Sequence, residues 1–107
     1  MINLEEIIRM LKSVYSRYDN VRIGIAGSYA NDTAHAGSDL DVVLEGDSMH
    51  VEIMEYIKSL FSIPVDVLWV DLLKKDDEEM DSFAISNGLP KNEHSVYKTV
   101  MREVKWI

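Results

Sequence analysis

Hydrophobic positions recur at helical spacing from the beginning of the chain. Leu4, Ile7, Ile8, Leu11, Val14, Tyr15 and Tyr18 share one face of a helix expected over about residues 4–18. Asn3 with Glu6 forms an Asn-x-x-Glu start that resembles a capping box. The period then changes. Val21 to Ala26 reads as a short strand that runs straight into Gly27-Ser28, and the small, polar residues 29–38 read as a loop or one short helical turn. A second strand begins near Asp39 and continues through Leu40, Val42, Val43 and Leu44. Gly46-Asp47-Ser48 ends it and caps a helix to about Phe61, with Ile53, Met54, Ile57, Leu60 and Phe61 inward and Ile63-Pro64 as the break. Val65 to Val70 is a third strand. Asp71 is placed to cap a helix from Leu72 to about Ser86, stopped by Asn87-Gly88-Leu89-Pro90. Val96, Tyr97, Val100, Met101, Val104 and Ile107 recur at helical spacing and predict a last helix from about Asn92 to the terminus.

Helices placed between strands predict an α/β (α+β) domain, a small mixed sheet with helices packed on it. The 107 residues fit a single domain over 1–107, with one core. At 47% apolar and 28% charged residues the chain has the composition of a folded soluble protein. It has no cysteine, which excludes disulfides and thiolate metal sites. The N-terminal stretch lacks the basic-then-apolar pattern of a signal peptide, and no apolar run approaches the roughly 20 residues that span a bilayer, so a cytoplasmic protein without a membrane partner is expected.

Charge changes the picture more. The net charge is -8, and the whole deficit lies in residues 23–90, which carry three basic and fourteen acidic groups. An acidic centre repels nucleic-acid backbone and speaks against nucleic acid as the main ligand. Clustered carboxylates do attract divalent cations.

Three features carry candidate chemistry: Gly27-Ser28 at the end of one strand, Asp39-x-Asp41 at the start of the next, and Asp66 near the start of the third. Strand side chains alternate, so Asp39 and Asp41 point to one face and Leu40, Val42 and Leu44 to the other. Asp66 stands between Val65 and Val67 in an otherwise apolar strand, where an unpaired carboxylate is costly if buried. Pairing of the second and third strands brings Asp66 beside the pair. Two unit charges about 4 Å apart repel by roughly 4 kcal/mol at a protein surface, so either a cation neutralises the cluster or one carboxyl stays protonated. Oxygen donors without His or Cys favour magnesium or manganese.

Gly27-Ser28, ten residues, then Asp39-Leu40-Asp41 resembles the Gly-Ser-x10-Asp-x-Asp signature of the DNA polymerase beta-type nucleotidyltransferases. The chain length and the later Asp66 resemble the minimal nucleotidyltransferases of that superfamily. The resemblance covers Val21 to Val70 and, more loosely, the flanking helices. It implies that Asp39, Asp41 and Asp66 are catalytic and hold Mg2+ or Mn2+, and that Gly27, Ser28 and Ser38 contact the phosphates of ATP. It further implies adenylate transfer to a hydroxyl of a separate helical protein of the HEPN type, in the manner of an antitoxin. The runner-up is a non-catalytic module that neutralises its partner by contact. A haloacid dehalogenase-type phosphatase also uses Asp-x-Asp, but with the apolar run before the pair; here Leu40 to Leu44 follows it.

The chain departs from the family in one respect: no Lys or Arg occurs between Arg22 and Lys58, so the loop holding Tyr29, Asn31, Asp32 and His35 offers phosphate no cationic side chain. His35 reads as a solvated loop histidine and Asp76-Asp77-Glu78-Glu79 as a solvated helix face. Trp106-Ile107 has two readings, docking on the domain's own core or a patch for a partner.

Overall fold

In the computed structural model, residues 2–46 and 51–107 are described. The chain forms α1 (Leu4–Lys12), a 3-10 turn (Ser13–Ser16), β1 (Val21–Ala26), α2 (Gly27–Ala30), β2 (Leu40–Gly46), α3 (Val51–Ser59), β3 (Val65–Trp69), α4 (Val70–Ser86), α5 (Val96–Glu103) and β4 (Lys105–Trp106). The strands make one mixed sheet in the order β3-β2-β1-β4. β1 runs antiparallel to β2 and to β4, whereas β2 and β3 are parallel. The parallel pair is joined through α3, because two parallel neighbours need a crossover rather than a hairpin.

Both faces of the sheet are covered. Ile23 and Ile25 of β1 and Leu40, Val42 and Leu44 of β2 pack with Ile7 and Leu11 of α1 and Ile53 and Ile57 of α3. The alternate positions, Ala26 and Val43, pack with Val70 and Val100 on the opposite face. This is the period-2 pattern of the strands read out as two cores. Among the described residues, no helix is long and apolar enough to cross a membrane.

The α+β architecture agrees with the sequence reading, and the differences lie at element ends. Asn3 does cap α1, its side chain accepting the Glu6 N–H at 2.9 Å. The helix tightens at Ser13 instead of running to Tyr18. The Ser13 and Ser16 hydroxyls donate to the carbonyls of Met10 and Ser13, competing with continued helix. Asp71 is not a cap: α4 starts at Val70 directly out of β3, with Trp69 at the cap position and Asp71 in the first turn, where its charge suits the helix dipole. The expected stop holds, with Asn87 ending α4 and Gly88 at φ +68°. The cap expected at Asp47-Ser48 lies outside the described residues.

The largest correction is at the C-terminus. The expected helix from Asn92 begins only at Val96, capped by the Ser95 hydroxyl, which accepts the Lys98 N–H at 3.2 Å. It ends at Glu103, and Lys105-Trp106 pairs with the free edge of β1. Gly24 permits this, because a β-carbon there would collide with Val104 and Trp106. The Tyr15 hydroxyl then bridges the edge, accepting the Ile23 N–H at 2.9 Å and donating to the Ile107 carbonyl at 3.0 Å. Trp106 packs on one core and Ile107 on the other, so of the two readings of this pair the chain's own core is the one realised.

Candidate active site

Three strand ends meet at one edge of the sheet. β1 finishes at Ala26, which lies opposite Asp41 in the antiparallel register. β3 starts alongside β2, and its register places Asp66 directly opposite Asp41. Paired residues project to the same face, so Asp41 and Asp66 stand side by side. That face is the one of Val43 and Leu68, the α4–α5 side. Asp39 lies just before β2, two positions from Asp41. The expectation that Asp66 joins the Asp-x-Asp pair therefore has its basis in strand register.

The electrostatics follow. The Asp41 carboxyl is pushed above the ordinary aspartate range, first by partial burial and then by the charges of Asp66 and Asp39. Asp39 and Asp66 are exposed. The premise that Asp66 is a desolvated carboxylate thus does not hold. β3 is an edge strand, and its apolar neighbours Val65 and Val67 face the α1–α3 core while Asp66 faces out. Among the described residues, the ion pairs involve Glu45, Asp77 and Asp81, not these three aspartates. The site is left with uncompensated negative charge.

That charge and the all-oxygen donor set fit a hard divalent cation. Among the described residues, no three such side chains are already drawn together as a cation cage. The carboxylates are neighbours by register without converging on one point, as expected of side chains that repel.

Gly27 links the strand end to the acid pair. Its φ is +70°, in the left-handed region, and a β-carbon there would overlap the Asp41 Oδ2 atom. Two independent constraints thus select glycine. Ser28 follows, half-buried, its carbonyl accepting the Thr33 N–H at 2.9 Å. The Ser38 hydroxyl accepts the His35 N–H and the Ser38 N–H donates to the His35 carbonyl, each at 2.9 Å, closing the loop. The His35 side chain is exposed.

Sequence reading missed the anchor of this corner. Tyr29 and Ala30, assigned there to a small, polar loop or one short helical turn, are buried in the main core. They pin α2 and thereby hold Gly27 and Ser28 in place. The signal was present: Tyr29 is the one large apolar side chain in an otherwise small and polar stretch.

Residues 4–104 match the family model described as nucleotidyltransferase domain. The chain is 27% identical over 116 residues to a protein adenylyltransferase, MntA, of Thermococcus cleftensis, covering 100% of this chain and 98% of that protein.

Proposed function

Because this chain belongs to the nucleotidyltransferase domain family, we propose that it transfers the adenylate of ATP to a hydroxyl of a separate partner protein. The relative from Thermococcus cleftensis is named as a protein adenylyltransferase, which supports the choice of adenylate and of a protein acceptor. The partner in this reading is a helical HEPN-type toxin, with the chain as its antitoxin in the cytoplasm.

The observation that carries the reading is the register that sets Asp66 beside Asp41, next to a glycine that cannot carry a side chain. In the reaction, the acceptor oxygen attacks the α-phosphorus of ATP. A new oxygen–phosphorus bond forms, the bond to the β-phosphate bridging oxygen breaks, and pyrophosphate leaves. Asp66 orients the acceptor hydroxyl and receives its proton. Gly27 lets the backbone lie close to the phosphates, and Ser28 and Ser38 donate to them. Asp39, Asp41 and Asp66 would hold magnesium or manganese, which would supply the positive charge that the loop lacks and stabilise the phosphate oxygens. A partly buried acid that is reluctant to ionise is the group whose charge such a cation relieves most.

The test mixes the chain with ATP, magnesium and the protein encoded beside it, and reads that protein's mass. The expected result is an adenylate-sized increase that disappears with Asp39→Ala plus Asp41→Ala. Neutralisation of the neighbour without any mass change, unaffected by that double substitution, would replace this reading with the contact-only module.

A further inference from the structure

The half of α4 beyond Asp77 leaves the body of the protein. From Glu78 to His94 no residue is buried. α4 has 17 residues, about 25 Å of helix, and the molecule measures 46 × 31 × 19 Å with a radius of gyration of 15.2 Å, against roughly 13 Å for a compact chain of about 100 residues. The arm nevertheless carries large apolar side chains in the open: Met80 is 63% exposed, Phe83 65% and Val96 60%.

These side chains line two hollows that share Asp76 and Met80. One, of about 280 Å³, lies between α4 and α5 and includes Val96 and Tyr97. The other, shallow and lined by α4 alone, continues past Glu79 to Phe83. Every charged side chain lining the two is a carboxylate. Asp77 is met by Lys98, at 3.8 Å. Among the described residues, Asp76 and Glu79 are in no ion pair. The result is an apolar track rimmed by free negative charge.

We propose that this track on α4 and α5 docks a cationic amphipathic helix of the acceptor protein, apolar face on Met80, Phe83 and Val96, basic residues against Asp76 and Glu79. This rests on the reading above that the acceptor is a separate protein, and adds where it is held. The charge rim selects the occupant. A second copy meeting it track to track brings the same carboxylates and is repelled, as are nucleic-acid phosphates and anionic lipid headgroups. A helix with apolar residues along one face and Lys or Arg beside them satisfies both features.

The test has two arms, with Met80→Ser plus Phe83→Ser as the variant; both side chains are exposed, so the fold is retained, which an unchanged thermal midpoint checks. In the first, a synthetic helical peptide of about five turns, leucines on one face and lysines on the other, is titrated into the full chain. The expected result is at least about tenfold weaker binding by the variant, weakening of parent binding between about 0.05 and about 0.5 M salt, and binding of a leucine-to-serine peptide no tighter to the parent than to the variant. In the second, the neighbouring protein is the probe, by direct titration and as acceptor. The variant is expected to lose affinity and to raise the acceptor KM while leaving kcat and the KM for ATP unchanged. Equal binding of the peptide or of the acceptor by parent and variant overturns the proposal. So does sedimentation showing a parent dimer that the variant abolishes, since the track then belongs to a second copy. If transfer itself fails, the affinity measurements still decide the docking surface; if docking fails while transfer persists, the proposed function stands.

Discussion

Replacing Gly27 with alanine separates two physical demands made at one position. The backbone sits at φ +70°, and a left-handed conformation costs a residue with a β-carbon about 1–2 kcal/mol. The new methyl also occupies the space of Asp41 Oδ2, so the carboxylate has to rotate away, at about 0.5–1.5 kcal/mol for an off-rotamer side chain. The sum is about 2–3 kcal/mol, which for a domain of this size lowers the thermal midpoint by roughly 10 °C. The chemical effect is larger. The Asp41 carboxylate is displaced from its place beside Asp66, and a misplacement of about 1 Å costs on the order of 100-fold in rate. The assay pairs thermal denaturation with the rate of the proposed adenylate transfer for Gly27→Ala, Asp41→Ala and the double variant. The alanine at position 27 is expected to destabilise the Asp41→Ala background by only the backbone share, so the two changes are non-additive by about 1 kcal/mol. Strict additivity would refute the steric link between Gly27 and Asp41. An unchanged midpoint and rate in Gly27→Ala would refute both halves of the argument.

Three other outcomes follow from the same contacts. Asp41→Asn is expected to abolish transfer while raising stability, because it removes a charge that burial and two neighbouring aspartates disfavour. The sign is set by the raised folded-state value: the protonated carboxyl contributes stability below the unfolded-state pKa, and this is lost as pH rises through the higher folded-state pKa. Denaturant midpoints across that range should therefore fall with pH in the wild type relative to Asp41→Asn, and magnesium should narrow the gap. Lys98→Met leaves buried Asp77 without its cation and frees Asp81, which Lys98 contacts at 3.0 Å; loosening of α5 from α4, read as faster amide exchange in α5, is expected before any loss at the aspartate edge. Gly24→Val drives a side chain into Val104 and Trp106, and such overpacking costs about 1–3 kcal/mol; a lower thermal midpoint and loss of protection at the Ile107 amide, which bonds the Ile23 carbonyl, are the readouts.

Much of the fold was legible because the determinants are local. The strand Val21 to Ala26 was read to the residue, since it combines β-branched residues with a Gly-Ser end. The Asn3 cap and the Gly88 stop follow from hydrogen bonds and backbone angles settled within a few residues. The end of the first helix was less legible, because two serine hydroxyls compete with the helix for the same carbonyls. The C-terminal strand was invisible. Val104 and Ile107 continue a helical period, and only the bare backbone of Gly24, some 80 residues earlier in the chain, makes the edge of β1 available to them.

The candidate site divides in the same way. Sequence by itself determined the donors: a Gly-Ser strand end, an Asp-x-Asp pair and a lone aspartate in an apolar strand, with a spacing that resembles one superfamily. It could not determine that Asp66 meets Asp41 rather than Asp39, because a register shift of two residues keeps every side chain on its own face and changes only which aspartate lies opposite Asp66. Nor could it show that Gly27 is required by the carboxylate as well as by its own backbone. Those facts belong to the tertiary structure, where β2 pairs with β3 in the register that sets Val65, Val67 and Trp69 opposite Leu40, Val42 and Leu44 against one core.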